Sequence, residues 1–176
     1  MQYTANLIIA TLVFLVDIKL VTDGILVAVN PDWSWWQSKL SFYKRHATKL
    51  AFAAALASML GSLFFSEVLG WTPCPLCWWQ RIFMYSSVFV LGWSMWRNDQ
   101  PVGLTYAAVL SVPGALIAAY HMGLHQFERF LSSAACGAGE VSCEASYTFW
   151  YGYITIPTMA LTGFLVILAF AWISNR

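Results

Sequence analysis

The chain has 176 residues, of which 60% are hydrophobic and 10% charged, with a formal net charge of +1. Soluble domains average roughly 45–50% apolar and about 25% charged residues, so water is excluded as the main solvent and the bilayer takes its place. The near-neutral charge gives no footprint for nucleic acid, and no block of like charge marks a disordered tail.

From the N-terminus, the first apolar segment is 7–29, interrupted by Asp17, Lys19 and Asp23. Such charges are costly at mid-bilayer, although Lys19 and Asp23 stand four apart and can pair on one helical face. The segment is expected to form an additional N-terminal hydrophobic helix, the alternative being a helix lying in the interface. No basic region precedes it, as would be expected of a signal peptide. A basic loop with Lys39, Lys44, Arg45 and Lys49 follows. Residues 1–46 are thus read as a hydrophobic helix plus a cytoplasmic loop, and 47–176 as the core.

The core holds four segments long enough to span, at 47–68, 78–96, 102–124 and 152–173; each offers about 20 mostly apolar residues. The expected fold class is therefore all-α: a four-helix transmembrane bundle with the additional N-terminal helix. Pro113 and Pro157 are expected to kink their spans. Lys and Arg concentrate on one side, in the basic loop, at Arg97 and at Arg176, which makes that side cytoplasmic. Most of the tryptophans and tyrosines at span ends read as an aromatic belt. Four crossings then bring Cys74 and Cys77, between the first two core spans, to the same side as Cys136 and Cys143, between the last two. That side is extracytoplasmic and oxidising, where disulfides persist.

Cys74-Pro75-Leu76-Cys77 is the strongest motif. In a C-x-x-C pair one thiolate attacks a partner disulfide and the second resolves the mixed species, and a helix N-terminus favours the thiolate. The two prolines force extended backbone before the helix, which puts Cys77 in the first turn, at the positive end of the dipole. Arg81 lies one turn further on the same face. It is expected to support the Cys77 thiolate or to donate to an acceptor oxygen that gains negative charge; the plain alternative is snorkelling to the interface. His121 and His125 share a face at the outer end of the third core span, and His121, the deeper, is preferred as a proton carrier or hydrogen-bond donor to the same acceptor.

Cys136 and Cys143 enclose a small loop with Glu140, and Glu144 follows. A structural bond closing so short a loop restricts little of the unfolded chain, so redox exchange is favoured over a staple. The nearby carboxylates would raise the thiol pKa values. Zinc or an iron–sulfur cluster is disfavoured because the second pair lacks knuckle spacing, and no metal is expected.

The run Cys74-Pro75-Leu76-Cys77-Trp78-Trp79-Gln80-Arg81, followed by Tyr120-His121, the Cys136/Cys143 loop and Gly152-Tyr153-Ile154-Thr155-Ile156-Pro157, resembles the DsbB/BdbC family of quinone-coupled disulfide-bond formation proteins. The resemblance covers residues 47–176. It implies a four-helix bundle in the bacterial cytoplasmic membrane, with ubiquinone or menaquinone as acceptor beside the first cysteine pair. By the same resemblance Cys77 is nearest the quinone, Cys74 is its partner and Arg81 belongs to the quinone site. Cys136 and Cys143 exchange with a DsbA-type thioredoxin-fold oxidase, Cys136 forming the mixed disulfide in the better-known relatives. That a DsbA–DsbB–quinone relay keeps the bacterial periplasm oxidising belongs to the family rather than to these residues. The short second loop matches the BdbC-like branch, and Gln80 stands where some members carry glutamate. Rival readings are a related quinone or epoxide reductase, a conduit carrying reducing power outward, a scaffold with two structural disulfides, and a transporter. The spans lack the paired broken helices of a transporter, and no cysteine serves the cytoplasmic side.

Overall fold

The computed structural model describes residues 2–29, 34–126 and 148–175. Among these the chain is helical apart from short connections and one isolated bridge, Trp150 with Ile154. The helices are α1 (Gln2–Val29), α2 (Ser34–Leu63), α3 (Pro75–Trp96), α4 (Gln100–Gln126) and α5 (Ile156–Asn175), with a π-helical turn at Phe64–Val68 extending α2. The protein is a multi-pass membrane protein in which α2 to α5 form the bundle and α1 is added to it.

Among the described residues four helical stretches are long and apolar enough to cross a bilayer: Tyr3–Leu26, Lys39–Val68, Gln100–Leu124 and Ile156–Asn175. This reverses the expected ranking, because the N-terminal segment qualifies and α3 does not. Four tryptophans, Gln80 and Arg81 lower the apolar character of α3, yet its 22 residues still extend about 33 Å at 1.5 Å per residue, and it packs between α2 and α4. Phe89, Trp93, Val109, Leu116 and Leu165 are exposed on the outside of the bundle, where lipid rather than water suits them.

The interior is built from small residues. Ala47, Ala51 and Ala55 repeat every turn on α2 and face Met84, Val88 and Leu91 of α3, Leu104 and Ala107 of α4, and Phe164 and Ile167 of α5. Gly114 lies against the Phe164 ring, and Gly163 against Ser58 and Met84. Small side chains let backbones approach where no hydrophobic effect drives helices together. Two buried serines are satisfied within their own helices: Ser87 donates to the Phe83 carbonyl at 2.8 Å and Ser111 to that of Ala107 at 2.7 Å.

Two prolines behave differently from one another. Pro113 lies inside α4, which continues through it. Pro157 is the second residue of α5, not an interior one as expected; in the first turn its missing N–H costs nothing, so it starts the helix instead of kinking it. The α3–α4 corner turns on Asn98 in the left-handed region, φ 57°, with Asp99 N–H donating to the Ser94 carbonyl at 2.9 Å.

The charges of α1 find partners. Lys19 pairs with Asp23 at 2.5 Å, as the spacing suggested. Asp17 instead reaches across to α5, accepting from Thr162 Oγ1 at 2.6 Å and from Tyr153 Oη at 2.9 Å. Burial and this carboxylate together push the Tyr153 phenol up to about 12. Phe14 stacks on Tyr151 with ring centres 4.8 Å apart.

Candidate functional site

The polar residues of interest gather at one end of the bundle, where α2 ends, α3 begins and α4 ends. The π turn leads to Gly70, whose φ of 70° suits a residue without Cβ, and Trp71 folds back to stack on Phe65 at 5.3 Å. Pro73 follows, then Cys74 in extended conformation, and Pro75 opens α3. Cys74 is therefore the N-cap, and its sulfur accepts the Cys77 N–H at 3.4 Å. From spacing alone the dipole was expected to favour Cys77; in the fold the free helix amide points at Cys74.

The two sulfurs are 3.1 Å apart as free thiols, so small rotations suffice to close a disulfide, whose bond is about 2.05 Å. Cys74 is buried, with 4% exposed. Its pKa is drawn down: the hydrogen bond with the Cys77 side chain contributes most, burial opposes it, and His121 and the Cys77 N–H assist.

His121 Nε2 stands 3.8 Å from Cys74 Sγ. On the other side of the ring, Gln80 Nε2 donates to Nδ1 at 3.0 Å, which leaves the His121 proton on Nε2, facing the sulfur. Both residues are buried. Sequence reasoning noted Gln80 only as a departure from glutamate; its position three after Cys77 was the signal that it shares the helix face. Ligand atoms of Cys74, Cys77 and His121 all lie within 4.8 Å of one another, a compact soft-donor set invisible from the spacing that had argued against a metal.

Arg81 does not snorkel. Its Nε donates to Ser62 Oγ at 2.9 Å and its Nη2 to the Ser62 carbonyl at 3.0 Å, while its guanidinium carbon lies 5.4 Å from the centre of the Trp78 ring. Ser62 precedes the π turn closely, and such turns often accompany functional sites. Cys136, Cys143, Glu140 and Glu144 lie outside the described residues, as does the side chain of His125.

Cys74, Cys77, Arg81 and His121 all border one cavity of about 420 Å³. That size falls within the range for small-molecule sites, which are mostly apolar with a few convergent polar groups. Tyr85, two turns below Cys77, and Thr148 border it too. Their hydroxyls are buried without a hydrogen-bond partner among the described residues. A buried unpaired hydroxyl is costly, so these groups suit a ligand carrying acceptor oxygens. Neither was singled out from the sequence, where one more tyrosine and threonine carry no signal.

The family model for disulfide bond formation protein DsbB matches residues 44–174. Probable disulfide formation protein C of Bacillus cereus is 39% identical over 124 residues, covering 70% of this chain and 88% of that protein. Its Halalkalibacterium halodurans counterpart is 42% identical over 113 residues, 64% of this chain and 81% of that one. Disulfide bond formation protein C of Bacillus subtilis is 39% identical over 120 residues, 68% and 86% respectively. No solved structure matches. A helical membrane bundle, a C-x-x-C pair poised to form a disulfide and these matches agree: the chain belongs to the DsbB family of disulfide bond formation proteins and is a membrane disulfide oxidoreductase.

Proposed function

We propose that the protein reoxidises an extracytoplasmic thioredoxin-fold oxidase of the DsbA type and passes the electrons to ubiquinone or menaquinone in the bacterial cytoplasmic membrane. The observation that carries this reading is the shared cavity: a redox-competent cysteine pair, an arginine and two unpaired hydroxyls face one largely apolar chamber within the bundle. Residues 1–46 form an accessory unit on a core of 47–176, and both cysteine pairs face the extracytoplasmic side.

A bound quinone supplies the two-electron acceptor. Arg81, Tyr85 and His121 would hold its oxygens, and the largely apolar walls would exclude water. A thiolate of the reduced partner attacks the Cys136–Cys143 disulfide, most simply at Cys136. The resulting dithiol attacks Cys74–Cys77 and leaves that pair reduced. The reduced Cys74–Cys77 pair would give up two electrons and two protons to the quinone as its disulfide closes, with Cys77 the cysteine nearest the acceptor and Cys74, favoured as a thiolate by the Cys77 side chain, His121 and the Cys77 N–H, forming the new S–S bond. His121 handles a proton beside Cys74. For each disulfide made, the partner loses two electrons and two protons. A DsbA-type oxidase has a potential near −120 mV, and about 30 mV is worth about 1.4 kcal/mol for two electrons, so its reoxidation needs an acceptor of clearly higher potential.

The test is to follow the thiol state of a reduced DsbA-type protein added to membranes carrying this chain. Oxidation that needs all four cysteines and stops on quinone depletion is expected. Oxidation that persists without quinone would contradict the reading, and a chain inert toward every reduced partner would favour a scaffold.

A further inference from the structure

The N-terminal helix has no role in the mechanism, yet it borders the same cavity. Ile9, Leu12, Val13 and Val16 line it, and their spacing of i, i+3, i+4 and i+7 makes one continuous helical face. Ile8, Leu15, Ile18 and Val21 are exposed on α1 and do not border the cavity, and Leu12 and Val16 of the lining are exposed too, so the chamber is open along this helix. The helix is therefore two-sided, with one apolar stripe turned to the chamber and another turned to lipid.

The chamber is elongated. On α3 its lining runs from Cys77 to Tyr85, and on α2 from Ser62 down to Ala54. Each stretch of eight residues spans about 12 Å along a helix axis. Its upper end carries Arg81 and His121. Its lower part is walled by Ala54, Ala57, Gly61, Ala160 and Val166, where α1 faces them. A polar upper end continued by a mostly apolar shaft, with Ser58 and Tyr85 its polar members beside α2 and α3, fits a ring with an apolar chain attached.

The stripe is held in place by specific bonds. Asp17, one residue beyond Val16, accepts from Thr162 and Tyr153. Thr11 and Tyr151 share a hydrogen bond at 2.9 Å. A carboxylate within a membrane helix is expensive unless it is paired, and here both oxygens are engaged by the core. The family match begins at residue 44, so this wall lies outside it.

We infer that α1 is the tail-binding wall of the quinone chamber: its Ile9–Leu12–Val13–Val16 face packs on the first isoprenoid units, and Asp17 is the positioning residue that fixes this face against α5. The inference rests on the quinone reading above. It assigns the added helix a specificity role, selecting tailed quinones over bare rings.

The experiment is a binding titration of the detergent-purified full chain, read by quenching of tryptophan fluorescence. Ubiquinone and menaquinone with isoprenoid tails are compared with their tailless ring analogues. Val13→Phe fills the shaft, Leu15→Phe places the same bulk on the lipid face, and Asp17→Ala releases the anchor. Val13→Phe and Asp17→Ala are expected to weaken tailed quinones by about tenfold, the scale on which an apolar pocket discriminates small misfits. Binding of the rings should stay within about twofold in both, which also reports an intact site, and Leu15→Phe should change neither. Equal losses for ring and tailed quinone, or no loss in either variant, would overturn the inference alone. A wild-type chain that quenches with no quinone would overturn it together with the proposed function.

Discussion

The N-cap geometry of Cys74 has a consequence for how the redox potential of the Cys74–Cys77 pair varies with pH. The perturbation is pH itself, applied to a variant in which Cys136 and Cys143 are serine so that one couple is observed. The Cys77 side chain, His121 and the Cys77 N–H all favour the Cys74 thiolate and draw its pKa below the ordinary thiol range. The sign follows directly. A lowered thiol pKa stabilises the reduced form above that pKa, and the stabilisation is lost as pH falls through it. Above it, reduction takes up two electrons but one proton. At about 30 mV per tenfold change in a two-electron equilibrium, the potential should fall by about 30 mV per pH unit across the neutral range, above the lowered Cys74 pKa. Two ordinary thiols, both protonated over this range, would give about 59 mV per unit. The assay is equilibration with defined thiol–disulfide buffers, followed by alkylation and mass shift on a gel. His121→Ala, which removes a smaller contribution than the Cys77 hydrogen bond, should move the break in slope to higher pH without abolishing it. A slope near 59 mV per unit throughout would refute the assignment of Cys74 as the stabilised thiolate.

Three further outcomes follow from the geometry. Arg81→Lys keeps the charge but cannot reproduce the two-pronged contact with Ser62; quinone turnover should fall by roughly 10²-fold, the scale for losing a donor at a developing oxyanion, while exchange between partner and cysteines, followed by quenched-flow alkylation, is unchanged. Equal slowing of both steps would contradict the role. Tyr85→Phe removes a buried hydroxyl with no partner among the described residues, so thermal stability should hold or rise by about 1 kcal/mol as quinone affinity drops severalfold in an equilibrium titration; a destabilised protein with unchanged affinity would show that the hydroxyl serves the fold. Gly114→Ala drives a methyl into the Phe164 ring and should cost about 1–3 kcal/mol by overpacking, read as a lower midpoint of thermal unfolding in detergent; an unchanged midpoint would mean that the α4–α5 contact relaxes freely.

The bundle was legible because bilayer length and the density of apolar residues leave few alternatives, and Lys19–Asp23 was legible because four residues make one helical turn. The start of α5 was less so: Pro157 sits inside an apolar run, and nothing local says that the helix waits until Ile156. The site was half readable. Cys74, Cys77 and Arg81 share one short motif, so local spacing carries their proximity. His121 comes from a different helix, and its meeting with Cys74 and Gln80 depends on the packing of α3 on α4. Ser62, Tyr85 and Thr148 are common residue types whose relevance comes only from facing the cavity. Asp17 looked like a liability to a membrane helix because its hydrogen-bond donors, Thr162 and Tyr153, lie more than a hundred residues away.

Absorbance of the quinone is the most direct measure of the central claim. Purified protein would be mixed with a reduced DsbA-type partner and either ubiquinone or menaquinone, and quinone loss compared with partner disulfide formed. Catalytic loss in one-to-one proportion, abolished by Cys77→Ser, is the result expected of a quinone-coupled disulfide oxidase. Partner disulfide formed without quinone loss, or turnover retained in Cys77→Ser, would contradict the account.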